Sequence, residues 1–255
     1  MVQNSAVVQN LRCKVPEVTL GFWIVKIAAT TLGETGGDAV SMSLGLGYLI
    51  STLIFAVIFL LAVSAQVKSG KFHPLLYWIT IIATTTVGTT LADFADRSLG
   101  IGYAGGAILL AVLLAGSLLV WKKSLGSVSF RSVGDSGTEV FYWITILFSQ
   151  TLGTALGDWT ADSAGLGYGG GAVLFSVLIA LVAGAYFRTA ISRTALFWAA
   201  FILTRPLGAV VGDFLDKPVS AGGLALSRYG ASVALVVFIL AWLLFFRQRA
   251  AGSGH

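Results

Sequence analysis

One cysteine in 255 residues excludes an internal disulfide and falls short of any thiolate metal site. Histidine is equally scarce: His73 lies in a basic connection and His255 in the tail, so neither joins an acidic cluster as ligand or base. HExxH, CxxC and P-loop patterns are all missing, so the chain is read as a non-enzyme that needs no cofactor. Charge is thin too. Only 11% of residues are charged while 56% are hydrophobic, and the mean hydropathy is +0.89, which excludes an ordinary soluble globule. The first eighteen residues are polar and lack the apolar core and cleavage pattern of a signal peptide.

What the chain does have is long uncharged apolar runs. Those at 48–67, 102–121, 167–187 and 229–246 approach the length of a bilayer-spanning helix. Four weaker apolar stretches, 18–40, 74–92, 139–157 and 194–212, alternate with them and carry threonine, glycine and a few charges. The expectation is all-α: a polytopic membrane protein of eight transmembrane helices. An N-terminal segment at 1–17 precedes one membrane domain at 18–247, and the tail is 248–255.

With alternating crossings, one face collects Arg12, Lys14, Lys68, Lys71, Lys122, Lys123, Arg131, Arg188, Arg193, Arg247 and Arg249, and the other only Arg97, Lys217 and Arg228. The positive-inside rule then puts both termini in the cytoplasm, with a bacterial inner membrane as the expected location. The net charge of +5 is topological on this reading, and nucleic acid is not an expected partner. Glu34, Asp38, Asp93, Asp96, Asp158, Asp162, Asp213 and Asp216 fall in or near the outer half.

Four copies of one unit cover the chain, at 18–67, 73–121, 139–187 and 194–247. Aligned on Gly33, Gly88, Gly153 and Gly208, they are offset by 55, 65 and 55 residues, the middle offset lengthened by the loop KKSLGSVSFRSVGDSGTE. Ten residues before each glycine stands Trp23, Trp78, Trp143 or Trp198; five after stands Asp38, Asp93, Asp158 or Asp213. Tyr48, Tyr103 and Tyr168 follow at fifteen, but the fourth copy reaches Tyr229 six residues late. Two helices per copy make the repeats parallel, with pseudo-symmetry about the membrane normal.

The segments FWIVKIAATTLGETGGD, YWITIIATTTVGTTLAD, YWITILFSQTLGTALGD and FWAAFILTRPLGAVVGD carry a resemblance. The chain resembles a family of uncharacterised bacterial membrane-anchored proteins with four tandem repeats, each of two transmembrane segments and one tryptophan. That resemblance implies the eight-helix architecture and no activity.

On a helical wheel, the position three before each glycine holds Thr30, Thr85, Gln150 or Arg205, in one sector with Lys26, Glu34, Thr89 and Thr154. Such polar stripes should face protein or a water-filled path, not lipid. The glycines have GxxxG-like spacing for close helix packing. Lys26 and Arg205 are the cations expected inside the membrane, Lys26 with the option of snorkelling to the interface. The tryptophans read as an interfacial belt or an inward gate. The outer aspartates read as solvated loop residues or helix caps on one side, or as an ion or proton site on the other.

The expected function is transport of a cation, such as Mn²⁺ or Mg²⁺ held by Asp38, Asp93, Asp158 and Asp213, or proton-coupled through these acids. A small organic cation transporter and a non-transporting scaffold or sensor are the alternatives. The lipid bilayer and a small cation are the expected partners, and a homo-oligomer is left open. Copies one and four are expected to supply the cationic half of the site, leaving Asp93 and Asp158 less compensated.

Overall fold

The computed structural model describes residues 13–252. Among these, eight α-helices follow in order: α1 (Leu20–Asp38), α2 (Gly47–Lys68), α3 (Pro74–Asp93), α4 (Gly102–Leu125), α5 (Ser136–Asp158), α6 (Gly167–Arg188), α7 (Arg193–Asp216) and α8 (Arg228–Phe245). The β pairing among the described residues is the isolated antiparallel bridge Pro16–Ala250.

Local chemistry sets the helix ends. Pro74 opens α3 at a position where its missing N–H costs nothing. Asp135 caps α5, accepting from the amides of Gly137 and Thr138, each at 3.1 Å. The Thr138 hydroxyl, donating to the other carboxylate oxygen, together with those amides outweighs partial burial and holds the Asp135 carboxyl below its usual range. Reversals after the first three inner helices each use two glycines at positive φ, Gly45 with Gly47, Gly100 with Gly102, and Gly165 with Gly167.

α1, α3, α5 and α7 form a central ring in which each touches the next and α7 returns to α1. The second helix of each copy lies outside and packs on the first helix of the following copy: α2 on α3, α4 on α5, α6 on α7, and α8 back on α1. The arrangement is a closed four-copy ring. Its outer helices present bare Leu, Ile, Val and Phe, and at most 22% of their apolar stretches is buried, against at least 67% for α3, α5 and α7.

Seven of the eight helices are long and apolar enough to cross a membrane. α1 falls outside that set; it carries Lys26, Glu34 and Asp38 in nineteen residues.

The inner helices run past the expected ends. α1, α3 and α5 continue directly into π-helical turns, Ala39–Ser43, Phe94–Ser98 and Trp159–Ser163. α7 has no such turn and stays α-helical to Asp216 before the short 3₁₀ turn Val219–Ala221. This is the break in register that delays Tyr229.

At the basic end the chain closes over itself. Lys14 N–H donates to the Val133 carbonyl, Glu17 N–H to Arg249 and Ala251 N–H to Val15, each at 2.8 Å. The Lys14 ammonium bonds the carbonyls of Gln66 and Val67 at 3.1 Å, where the end of α2 favours a cation, and pairs with Glu139 at 2.5 Å. Residues 13–17 and 249–251 are therefore working parts of the fold rather than a free segment and a tail. Cys13 is buried beneath this closure, and burial pushes its thiol up.

Candidate functional site

The axis of the ring is built from side chains spaced four residues apart on each inner helix. Because an α-helix repeats every 3.6 residues, such a stripe drifts about 40° per step, so it stays on the axis only if the helices cross. The four helices supply one residue each to successive tiers.

Nearest the basic end, Phe22, Tyr77, Tyr142 and Phe197 close the axis, with the two tyrosine hydroxyls 2.7 Å apart. Phe130 of the long loop stacks on Phe197 at 4.1 Å between ring centres. The next tier is Lys26, Ile81, Ile146 and Phe201, all fully buried. Lys26 does not snorkel. Its Nζ lies 4.1 Å from the Phe201 ring centre and 3.5 Å from Thr204 Oγ1, and no described carboxylate lies within ion-pair distance.

Thr30, Thr85, Gln150 and Arg205 follow, and each fills the space left by the key glycine of the preceding copy. A Cβ on Gly33 would stand 2.3 Å from Thr85 Cγ2, one on Gly88 3.2 Å from Gln150 Cβ, one on Gly153 2.2 Å from Arg205 Cγ and one on Gly208 2.2 Å from Thr30 Oγ1. The glycines thus act as sockets around the whole ring.

Arg205 reaches up into the tier of Glu34, Thr89, Thr154 and Ala209. Its Nη2 bonds Glu34 Oε2 at 2.9 Å, Thr89 Oγ1 at 2.6 Å and the Thr154 hydroxyl. Glu34 on α1 thus takes its cation from α7.

Above this plug stand the four equivalent aspartates. Asp38, Asp93, Asp158 and Asp213 are all buried, their side chains drawn together at the acidic end. The capping alternative is overturned: Asp162, Ser98 and Ser163 cap none of the outer helices, because the π turns carry the chain past the places where caps would act, and in copy four Ser227 rather than Ser220 caps α8. Asp162 is exposed and accepts from the Tyr103 hydroxyl at 3.4 Å.

Two cations, read from sequence as loop charges, complete the ring. Arg97 pairs with Asp93 at 3.0 Å and Asp158 at 3.1 Å, and Lys217 with Asp38 at 2.7 Å and Asp213 at 3.0 Å. Arg228 pairs with Asp216 at 3.0 Å and lies 3.7 Å from Asp38. Asp93 and Asp158 share the single Arg97, a cation of copy two that the expectation left out, while Asp38, Asp213 and Asp216 share Lys217 and Arg228. Burial alone would lower the Lys217 ammonium, but the carboxylates of Asp213 and Asp38 outweigh it and hold the group above its ordinary value. Lys217 is a fixed charge at neutral pH.

Carboxylate oxygens of Glu34, Asp158 and Asp213 lie within 4.8 Å of one another, as do those of Asp38, Asp213 and Asp216. Asp213 belongs to both groups. Oxygen-only sets of this kind suit hard cations. Asp96, also buried, has neither carboxylate oxygen hydrogen-bonded and lies against Gly106, where a Cβ would be 2.1 Å from Oδ1.

The tryptophans are not an interfacial belt. Trp78, Trp143 and Trp198 are buried among neighbouring aromatic rings, Trp198 donating to the Val128 carbonyl at 2.9 Å; Trp23 alone of the four is half-buried.

A sequence family described as a Repeat of Unknown Function (DUF347) matches the chain at residues 21–72, 76–126, 141–192 and 196–250. The chain belongs to this family. Each DUF347 repeat here is one inner and one outer helix, so the matched unit coincides with the structural unit of the ring. No curated protein and no solved structure matches the chain.

Proposed function

We propose that this DUF347 protein is a multi-pass protein of the bacterial cytoplasmic membrane, with both termini cytoplasmic, that binds and transports a cation through its acidic outer half. The bare apolar belt of the outer helices and the basic residues at one end support the membrane placement.

The observation that carries the cation reading is a charge imbalance under burial. Glu34, Asp38, Asp93, Asp158, Asp213 and Asp216 fall into three ion-paired clusters with Arg97, Arg205, Lys217 and Arg228, which the close carboxylate oxygens of Glu34, Asp158 and Asp213 bring together. Six carboxylates against four cations leave two negative charges, the deficit that one divalent ion or two protons would neutralise. Uncompensated buried charge is costly, so a cargo cation is the natural counter-charge.

One observation favours a second reading, a non-transporting scaffold or sensor. The axis is packed from the Phe22 tier to Arg205, with Lys26, Thr30, Thr85, Gln150 and Arg205 all fully buried. Transport on the first reading therefore requires the Arg205 plug to move. A small organic cation draws no support from the indoles, which are engaged with protein.

Thermal unfolding of the purified protein with Mn²⁺, Mg²⁺ or choline tests cation binding, and flux into liposomes tests transport. A divalent ion at a hundred times its dissociation constant stabilises by about 2.7 kcal/mol. Asp213→Asn, which touches both carboxylate groups, should abolish that shift and the flux while the protein stays folded. Ion-dependent stabilisation without flux would select the sensor reading, and neither effect in folded wild type would remove the cation.

A further inference from the structure

The ring repeats a groove in which an outer helix, seated on one inner helix, leans toward the next. Between α8 and α3 this groove is lined wholly by apolar side chains, Leu75, Trp78, Ile82 and Ile239 among them, around a cavity of about 340 Å³. The counterpart, where α6 and α7 meet α1, holds about 260 Å³ and has a different mouth. Its deep wall is apolar, with Trp23, Ile179, Val182 and Ala200. Toward the basic end it is lined by Arg131, Arg193, Ser129 and Thr194.

These polar groups are arranged for an anion. Arg193 donates to the Tyr186 carbonyl and lies 4.2 Å over the Tyr186 ring, which fixes its guanidinium at the cavity wall. Arg131 is held 5.8 Å over the ring of Phe130, itself stacked on Phe197. Arg193 and Thr194 also open α7, a helix with no acidic residue in its first turn and no side-chain cap from Ser192. Its first amides are therefore available, and the positive end of a 24-residue helix dipole faces the same space. Two guanidiniums, a hydroxyl and a helix N-terminus converge over an apolar slot.

We propose that this cavity is a binding site for an anionic phospholipid, its phosphate between Arg131 and Arg193 and an acyl chain along α6 and α7. Charge complementarity selects the head group, and the apolar slot selects a lipid over a free phosphate. A basic pocket between helices at the cytoplasmic surface is where such lipids are held. The half-buried Trp23, unlike its three buried counterparts, then packs against the chain. The site rests on the membrane placement but stands apart from the cation reading.

The test is lipid retention by the full chain. Purified protein is exchanged into detergent containing equal dioleoyl phosphatidylglycerol and dioleoyl phosphatidylcholine, and bound lipid is counted by native mass spectrometry. The glycerol lipid should be retained over the choline lipid by roughly tenfold, since each arginine near an anionic head group contributes. Arg131→Gln with Arg193→Gln should bring the ratio to one, while Arg188→Gln should leave it unchanged. Ala183→Trp, which fills the slot without touching charge, should lower retention of both lipids and decides the matter if the double variant does not fold. No preference in folded wild type, a preference that survives the double variant, or unchanged retention in Ala183→Trp would each overturn the site. So would inorganic phosphate alone displacing the retained phosphatidylglycerol from the wild type.

Discussion

Arg205 holds the ring at its centre, bonding a residue of every other copy: Glu34 of copy one, Thr89 of copy two and Thr154 of copy three. A charge with no exposure is tolerable only while those partners stay in place. Arg205→Ala leaves Glu34 buried and unpaired and should cost about 3–5 kcal/mol, whereas adding Glu34→Gln should recover most of that loss. Thermal unfolding of the single and double variants checks both outcomes. The pairing was half legible: the wheel put both residues on the inward sector, but only the meeting of α7 with α1 determines which carboxylate Arg205 finds. Arg97 and Lys217 were harder. Each looked like an isolated loop charge, yet both stand nine residues after the key glycine, in copies two and four. That shared position was the available signal.

The inner helices owe their close approach to a key glycine apiece, helped four residues on by Gly37, Gly157 and Gly212. Gly208→Ala would place a methyl 2.2 Å from Thr30 Oγ1 and 2.9 Å from the Thr30 backbone carbon, so the helices must part. A loss of about 1–3 kcal/mol is expected. Gly184→Ala on α6, where a methyl meets nothing within 4 Å, should instead gain up to about 1 kcal/mol through helix propensity. Comparing the two unfolding midpoints separates socket from spacer. Helix number, repeat boundaries and the inward aspartates could all be read from hydrophobic runs and equal spacing. The aromatic closure at Phe22, Tyr77, Tyr142 and Phe197 could not, because sequence alone does not distinguish an inward tyrosine from an interfacial one. The four-residue step from Lys26 through Thr30 and Glu34 to Asp38 was the clue to a crossed bundle. The π turns had no signal short of recognising that three copies share the same overrun.

At the scale of the whole molecule, the first and last described segments, 13–17 and 249–251, meet where copy four returns to copy one, joined by the Pro16–Ala250 bridge and the Ala251 to Val15 hydrogen bond. A permuted chain, with the original termini linked and new ones opened at exposed Gly70, should therefore fold to a ring of similar thermal stability; a collapse in its unfolding midpoint would show that chain order matters beyond contact. The ion pairs divide this ring unequally. Arg97 ties copy two to copy three, while Arg205, Lys217 and Arg228 tie copy four to copy one. Among the described residues no ion pair crosses from copy one to copy two, or from three to four. At the acidic end the ion pairs therefore make two clamped halves, and hydrogen bonds and helix packing, not ion pairs, join α1 to α3 and α5 to α7. A rocking motion that keeps the ion pairs of the acidic end intact would turn on those two joints, about the Lys14–Glu139 pair that spans the halves at the basic end, and one of the joints separates Asp158 from Asp213.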